Sequence, residues 1–307
     1  MNRLLLILFL ILPFSSFSQN KKIEIGIIDS LHSKILNEVQ EIWVHVPSRP
    51  KEHEVFAPKR YPVVYVLDGD WHFRSVAGMV SFLSTDFENG AGTTPEMIVV
   101  GIISKNRTRD LTPTNITKLW NGKEERYLRQ SGGGEKFLNY IENELIPYID
   151  SHYPTEPYRM LIRHSFGGLF AVNTLITKPK LFNSYGIIDP SLWWDDKLLL
   201  RKVVSPLQHG EFTGKKLFVG IADTVLVLKD SGGNRAHISA NNEFIQMLEK
   251  KKSSGFTFDW KYYQKENHAT VPFKAEYDAI RNVFKHKPLP IPEAGVSDPK
   301  FDAAFVK

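Results

Sequence analysis

Residues 161–170 read LIRHSFGGLF, an apolar run ending in a polar pair, then a serine, two glycines after one intervening residue, and a second apolar run. The first half has the composition of a buried strand and the second that of a helix start, which leaves Ser165 on the sharp turn between them. A serine held there in a strained backbone conformation projects its hydroxyl beyond the sheet, and small residues two positions to either side let strand and helix cross closely. Gly167 supplies one of them and Gly168 follows it, whereas position 163 carries arginine where the G-x-S-x-G pattern has glycine. The decapeptide predicts an exposed nucleophile with a long cation packed against its turn.

Outward from this turn, alternating or continuous apolar runs recur as strand candidates at 22–29, 41–46, 63–67, 97–103, 159–162, 184–188, 216–221 and 257–263. Longer patterns of helical period separate them, at 72–83, 134–149, 167–178, 194–204, 240–251 and 275–284. Strand alternating with helix predicts an α/β fold: a mostly parallel central sheet with helices on both faces, after an antiparallel start. Ligands in such a sheet bind beyond the carboxyl ends of the strands, where each motif discussed below falls.

The chain has 307 residues, 42% hydrophobic and 24% charged, enough for one large domain. Its first twenty residues, MNRLLLILFLILPFSSFSQN, combine a cation at Arg3, an apolar run from Leu4 to Leu12 and small residues before Ser18. This pattern predicts a secretory signal peptide over 1–18, ahead of one α/β domain over 19–287 and an irregular tail over 288–307, where the prolines of PLPIPEAG exclude a helix. The apolar run falls short of the roughly 20 residues that cross a bilayer as a helix. The chain has no cysteine, so neither a disulfide framework nor a lipid-attachment site is expected, and a periplasmic or secreted location follows. The net charge of +5 is scattered rather than interleaved with aromatics, which argues against nucleic acid as partner. The densest cluster, Lys250–Lys252, ends a helical pattern, where cations suit the helix terminus. No H-E-x-x-H and no G-x-G-x-x-G is present, so neither metal nor nucleotide cofactor is expected.

Five blocks, one of them containing the serine turn, carry a resemblance: YVLDGDWHF at 65–73, IVVGIISKNRTRDLTPT at 98–114, SHYPTEPYRMLIRHSFGG at 151–168, DPSLWWDD at 189–196 and ENHATVPFKAEYDAIR at 266–281. In order and together they resemble the esterase family that includes the enterochelin and other siderophore esterases, related to esterase D and the antigen 85 acyltransferases. The resemblance implies an α/β-hydrolase fold and a small-molecule ester as substrate. It also implies His268, in ENHATVP, as the general base, and a second oxyanion donor at the backbone amide of Asp70.

The chemistry sets its own requirements. Serine needs an imidazole to take its proton, and a carboxylate to fix the imidazole tautomer. In this order of elements the partners follow the serine, acid before histidine. His268 lies after the last strand candidate; His209, His237 and His286 fit less well. For the acid, Asp223 after the strand LFVGI is preferred and Asp230 on the same loop is the alternative, and some relatives work with serine and histidine alone. The tetrahedral oxyanion requires preorganised donors; the amide of Phe166, directly after the nucleophile, is the first. Trp71, Trp193 and Trp194 are candidates for an apolar substrate wall. His164, beside the nucleophile, reads as packing, and Arg107, Arg109 and Asp110 as an ion-pair network.

Arg163 demands a partner, because an unpaired buried guanidinium costs several kcal/mol. Asp189, at the end of the next strand candidate, is the expected one. If the arginine distorts the turn, Arg163→Gly raises turnover. Two functions follow: a secreted serine esterase acting through an acyl-enzyme, or a catalytically impaired relative that binds an ester-type ligand; acyl transfer is a third, minor possibility.

Overall fold

Strand β3 (Tyr61–Leu67), YPVVYVL, is buried at every position, and so is β4 (Ile98–Ile102), IVVGI. Strands apolar on both sides belong inside a sheet covered on both faces. The computed structural model describes residues 22–47, 60–85, 93–223, 232–251 and 255–284; the expected signal peptide, the tail from 288 and Asp230 lie outside these. Eight strands run in the order β1-β2-β4-β3-β5-β6-β7-β8. The others are β1 (Ile27–Ser33), β2 (Glu38–His45), β5 (Thr155–His164), β6 (Ser184–Ile188), β7 (Lys216–Ala222) and β8 (Thr257–Tyr263). β1 and β2 pair antiparallel, as do β2 and β4, while the remaining neighbours are parallel.

Helices α1 (Gly69–Ser84) and α8 (Val271–Val283) cover one face of the sheet, packing Phe73, Val76, Val80, Ala275 and Ile280 against Val64, Val66, Met160 and Ile162. The other face carries α3 (Gly134–Tyr140), a π-helical turn (Ile141–Leu145), α4 (Ile146–His152), α5 (Phe166–Thr177), α6 (Trp194–Gln208) and α7 (Gly232–Lys250). The single helix expected over 134–149 is thus three consecutive segments. α2 (Arg107–Leu111) and a 3₁₀ turn (Arg126–Gln130) are too short for periodicity to reveal. Among the described residues no helix is long and apolar enough to cross a membrane.

This topology gathers the carboxyl ends of β3, β5, β6, β7 and β8 along one edge. Asp68 follows β3, Ser165 follows β5, Asp189 follows β6, Asp223 follows β7, and the loop after β8 carries His268.

Candidate active site

Ser165 caps α5 with φ 59° and ψ −121°, backbone that an L-residue adopts only under constraint. The constraint is visible: its amide donates to Ile188 O at 3.0 Å, and its carbonyl accepts from Ser191 N at 3.1 Å and Leu169 N at 2.9 Å. The turn is tied to β6 as well as to its own helix. Gly168 is required where it stands, because a β-carbon there would meet Pro190 Cβ at 2.9 Å.

His268 Nε2 lies 3.0 Å from Ser165 Oγ, and its Nδ1 lies 2.6 Å from Asp189 Oδ2. The expected acid is corrected here: the carboxylate on His268 is Asp189, not Asp223. Asp223 turns its amide to Glu266 O at 2.7 Å and interacts with Tyr262 on β8. Asp189 instead reaches the imidazole from β6, one strand nearer the nucleophile, with φ 38°, a left-handed conformation that aspartate tolerates. The pairing expected between Arg163 and Asp189 is likewise absent. Burial pushes the Asp189 carboxyl up, but hydrogen bonds from His237 and His268 outweigh it and hold the group well below the usual carboxylate range. It remains an anion facing an imidazole.

Arg163 finds Asp68. Its Nε lies 2.7 Å and its Nη2 2.5 Å from Asp68 Oδ2, and both side chains are almost fully buried. Arg107 closes the carboxylate from the other side, with Nε 3.0 Å from both oxygens. Burial raises the Asp68 carboxyl, but Arg163 and then Arg107 overcome this and lower it overall. Asp68 sits in the left-handed region (φ 50°, ψ 49°) at the start of α1 and makes no side-chain cap there. The guanidinium thus anchors the turn that presents Asp70 and leaves Ser165 within reach of His268. Arg109 pairs with Asp110 at 2.6 Å and with Glu38 at 2.5 Å, the structural network expected of it.

Phe166 is the first residue of α5 and Asp70 the second of α1. Amides in a helix's first turn lack intrahelical acceptors, so both are available as donors at helix N-termini. The indoles divide. Trp71 is 80% exposed beside Asp70. Trp193 packs edge to face on Trp120 at 4.7 Å and lies 6.4 Å from the Phe166 ring, and Trp120 and Trp193 line a cleft of about 310 Å³ with Leu119, Lys118 and Lys197. Trp194 is buried, donating from its indole nitrogen to Thr114 Oγ1 at 3.1 Å, and belongs to the core rather than to a substrate wall. Trp120 and Arg107, whose guanidinium stands 5.1 Å over the Phe166 ring, extend this surface. Trp120 meets Trp193 only through the fold, so local sequence pattern carries no signal for it.

His164 is buried, its ring 4.2 Å from that of His268 and tilted 49° to it; burial, then His268 and Arg163, drive its pKa well down and keep it neutral. Among the described residues the one grouping of metal-ligating type is His164, Asp189 and His268, with ligand atoms within 4.8 Å of one another. Two of the three are already hydrogen-bonded to each other.

The sheet order, the strained turn after β5 and the serine, histidine and aspartate gathered at strand ends define an α/β-hydrolase fold. Residues 33–273 match the family described as "Putative esterase", and the chain belongs to that family. It is 35% identical to an IroE-like serine hydrolase from Shewanella oneidensis, with a TM-score of 0.76 over 84% of this chain and 80% of that one. The BES protein of Bacillus cereus superposes with a TM-score of 0.71 at 25% identity, covering 87% of this chain and 97% of its own. Ferri-bacillibactin esterase BesA of Bacillus subtilis is 33% identical over 181 residues, 56% of this chain and 60% of that protein.

Proposed function

We propose that this protein is a serine carboxylic-ester hydrolase that cleaves siderophore-type esters through an acyl-enzyme. The observation that carries this reading is the continuous chain of hydrogen bonds Ser165–His268–Asp189, at 3.0 and 2.6 Å. Ser165 Oγ attacks the ester carbonyl as His268 Nε2 takes its proton. The carbonyl electrons collect on an oxygen facing the Phe166 and Asp70 amides, each such donor contributing about 3 to 4 kcal/mol in comparable enzymes. The alkoxide leaves with the proton from His268, and Ser165 holds the acyl group. Water then repeats the sequence, giving its proton to His268, and the acid departs as Ser165 recovers its hydrogen. Asp189 fixes the tautomer in both halves and stabilises the imidazolium between them.

Trp71 and the Trp120–Trp193 pair flank this centre and suit planar, aromatic acyl groups. The ester class is supported by the relatives whose names specify siderophore esterases. Secretion through residues 1–18 would place the reaction outside the cytoplasm. The test is hydrolysis of p-nitrophenyl butyrate and of a ferric tris-catecholate trilactone by purified protein and by Ser165→Ala, together with fluorophosphonate labelling mapped by mass spectrometry. The reading expects turnover and a label on Ser165, both lost in the variant; turnover that survives in Ser165→Ala rejects it.

A further inference from the structure

Asp189 is shared between two imidazoles. While His268 Nδ1 approaches Oδ2 at 2.6 Å, His237 Nε2 approaches the same oxygen at 3.1 Å from the opposite element, α7. The other oxygen accepts from Ala222 N at 3.2 Å and from Asn241 Nδ2 at 3.3 Å. His237 and Asn241 are one turn apart on α7, so one helical face addresses the carboxylate. All three of these side chains are buried.

The placement has a topological logic. The arm that runs from β7 into α7 is where the acid is expected, and here it delivers an imidazole and an amide instead, to an acid supplied by β6. The Asn241 amide nitrogen lies 3.1 Å from His237 Nε2 and 3.3 Å from Asp189 Oδ1; with hydrogen on His237 Nε2 that ring nitrogen donates to the carboxylate oxygen Oδ2, and the amide, which cannot then donate to the ring, donates to Oδ1. The two imidazole rings stand at 88° to each other, 5.3 Å between centroids, gripping the carboxylate from two directions.

We propose that His237 is a positioning residue of the proton relay: it holds Asp189 in line with His268 and, by taking part of the carboxylate's charge, limits how strongly Asp189 retains the proton on His268. This rests on the serine-hydrolase reading above. A carboxylate relieved of one donor pulls harder on its remaining partner, which favours imidazolium and leaves less free base at low pH. Among the described residues, the titratable groups facing this carboxylate are His268 from the loop after β8 and His237 from α7, with His164 from the end of β5 against the His268 ring.

The experiment is a kcat and KM profile from pH 5 to 9 on p-nitrophenyl butyrate for wild type, His237→Phe and His237→Gln, with Ser165→Ala alongside. His237→Phe should lower kcat about tenfold, the scale of a lost orienting contact, with KM little changed. Its acid limb should move up by about half a pH unit. His237→Gln, whose amide can donate from a similar place, should recover most of kcat and return the limb. Should His237→Phe fail to fold, the downfield proton resonance of the His268–Asp189 hydrogen bond, compared between wild type and His237→Gln in the folded state, carries the test: the proposal expects it to stay in place in His237→Gln and to move in a folded His237→Ala. A wild-type profile in His237→Phe, or equal loss in the Phe and Gln variants with no movement of the limb, overturns the proposal. Activity persisting in Ser165→Ala would instead overturn the hydrolase reading on which it rests.

Discussion

A β-carbon on residue 167 would stand 1.8 Å from Arg163 Cγ, so the arginine's stem occupies the space that the glycine leaves open. The two positions of the turn are one unit: the bulk missing from residue 167 is the bulk present at residue 163. The guanidinium then continues to Asp68.

Gly167→Ala should therefore fail in the wild-type background and be tolerated once residue 163 is small. Thermal or urea unfolding of Gly167→Ala, Arg163→Gly and the double variant gives the interaction energy, expected at about 1 to 3 kcal/mol for residues in direct contact. Additive losses would mean that the arginine stem simply moves aside.

Arg163 itself should contribute to stability. Replacing it with methionine leaves Asp68 buried against Arg107 alone, and breaking a buried pair in this way costs about 3 to 5 kcal/mol. Arg163→Met should lose that much in urea unfolding, and Arg163→Met combined with Asp68→Leu should regain part of it. The gain in turnover that the sequence suggests for Arg163→Gly is accordingly not expected.

Asp189→Asn should depress kcat by about four orders of magnitude, the loss that follows a wrong imidazole tautomer. Asp223→Asn should stay within about tenfold of wild type, because the group does not orient the base. Steady-state kinetics on one p-nitrophenyl ester ranks the two, and the reverse ranking would return the acid to β7.

His164 predicts how stability depends on pH. Its folded pKa is depressed by burial, so the folded chain keeps it neutral while the unfolded chain takes up a proton as pH falls. Below a pH of about 6.5 stability should drop by about 1.4 kcal/mol per pH unit from this group alone. The Asp189 carboxyl is also depressed, but it contributes stability that is lost only on descending below about pH 4, the unfolded carboxylate range. Urea midpoints at pH 5, 6 and 7 should therefore fall more steeply for wild type than for His164→Leu.

Much of this architecture is legible in the residues. β6 and β8 coincide with their apolar runs at 184–188 and 257–263, and Ser165 and His268 announce themselves by the turn pattern and by resemblance. β5 is longer than its apolar core because Arg163 and His164 continue the strand as charged and polar residues, which periodicity reads as an end. α7 begins at Gly232, ahead of its first apolar stripe, where the glycines of GGN speak against helix. The acid escapes for a topological reason. Asp189 lies 79 residues before His268, at a strand end where the sequence reading pairs it with Arg163, and only the parallel pairing of β5 with β6 brings it beside Ser165. His237 and Trp120 are hidden in the same way, each being placed by packing between distant elements.

Because the carboxylate leaves the sheet from β6, Ser165 and Asp189 stand one residue beyond two strands that are bonded to each other, His164 opposite Ile188. The spacing of Ser165 and Asp189 is thus fixed by backbone ladder rather than by any surface loop. Loops elsewhere along this edge of the sheet can therefore differ in length and sequence without altering that separation.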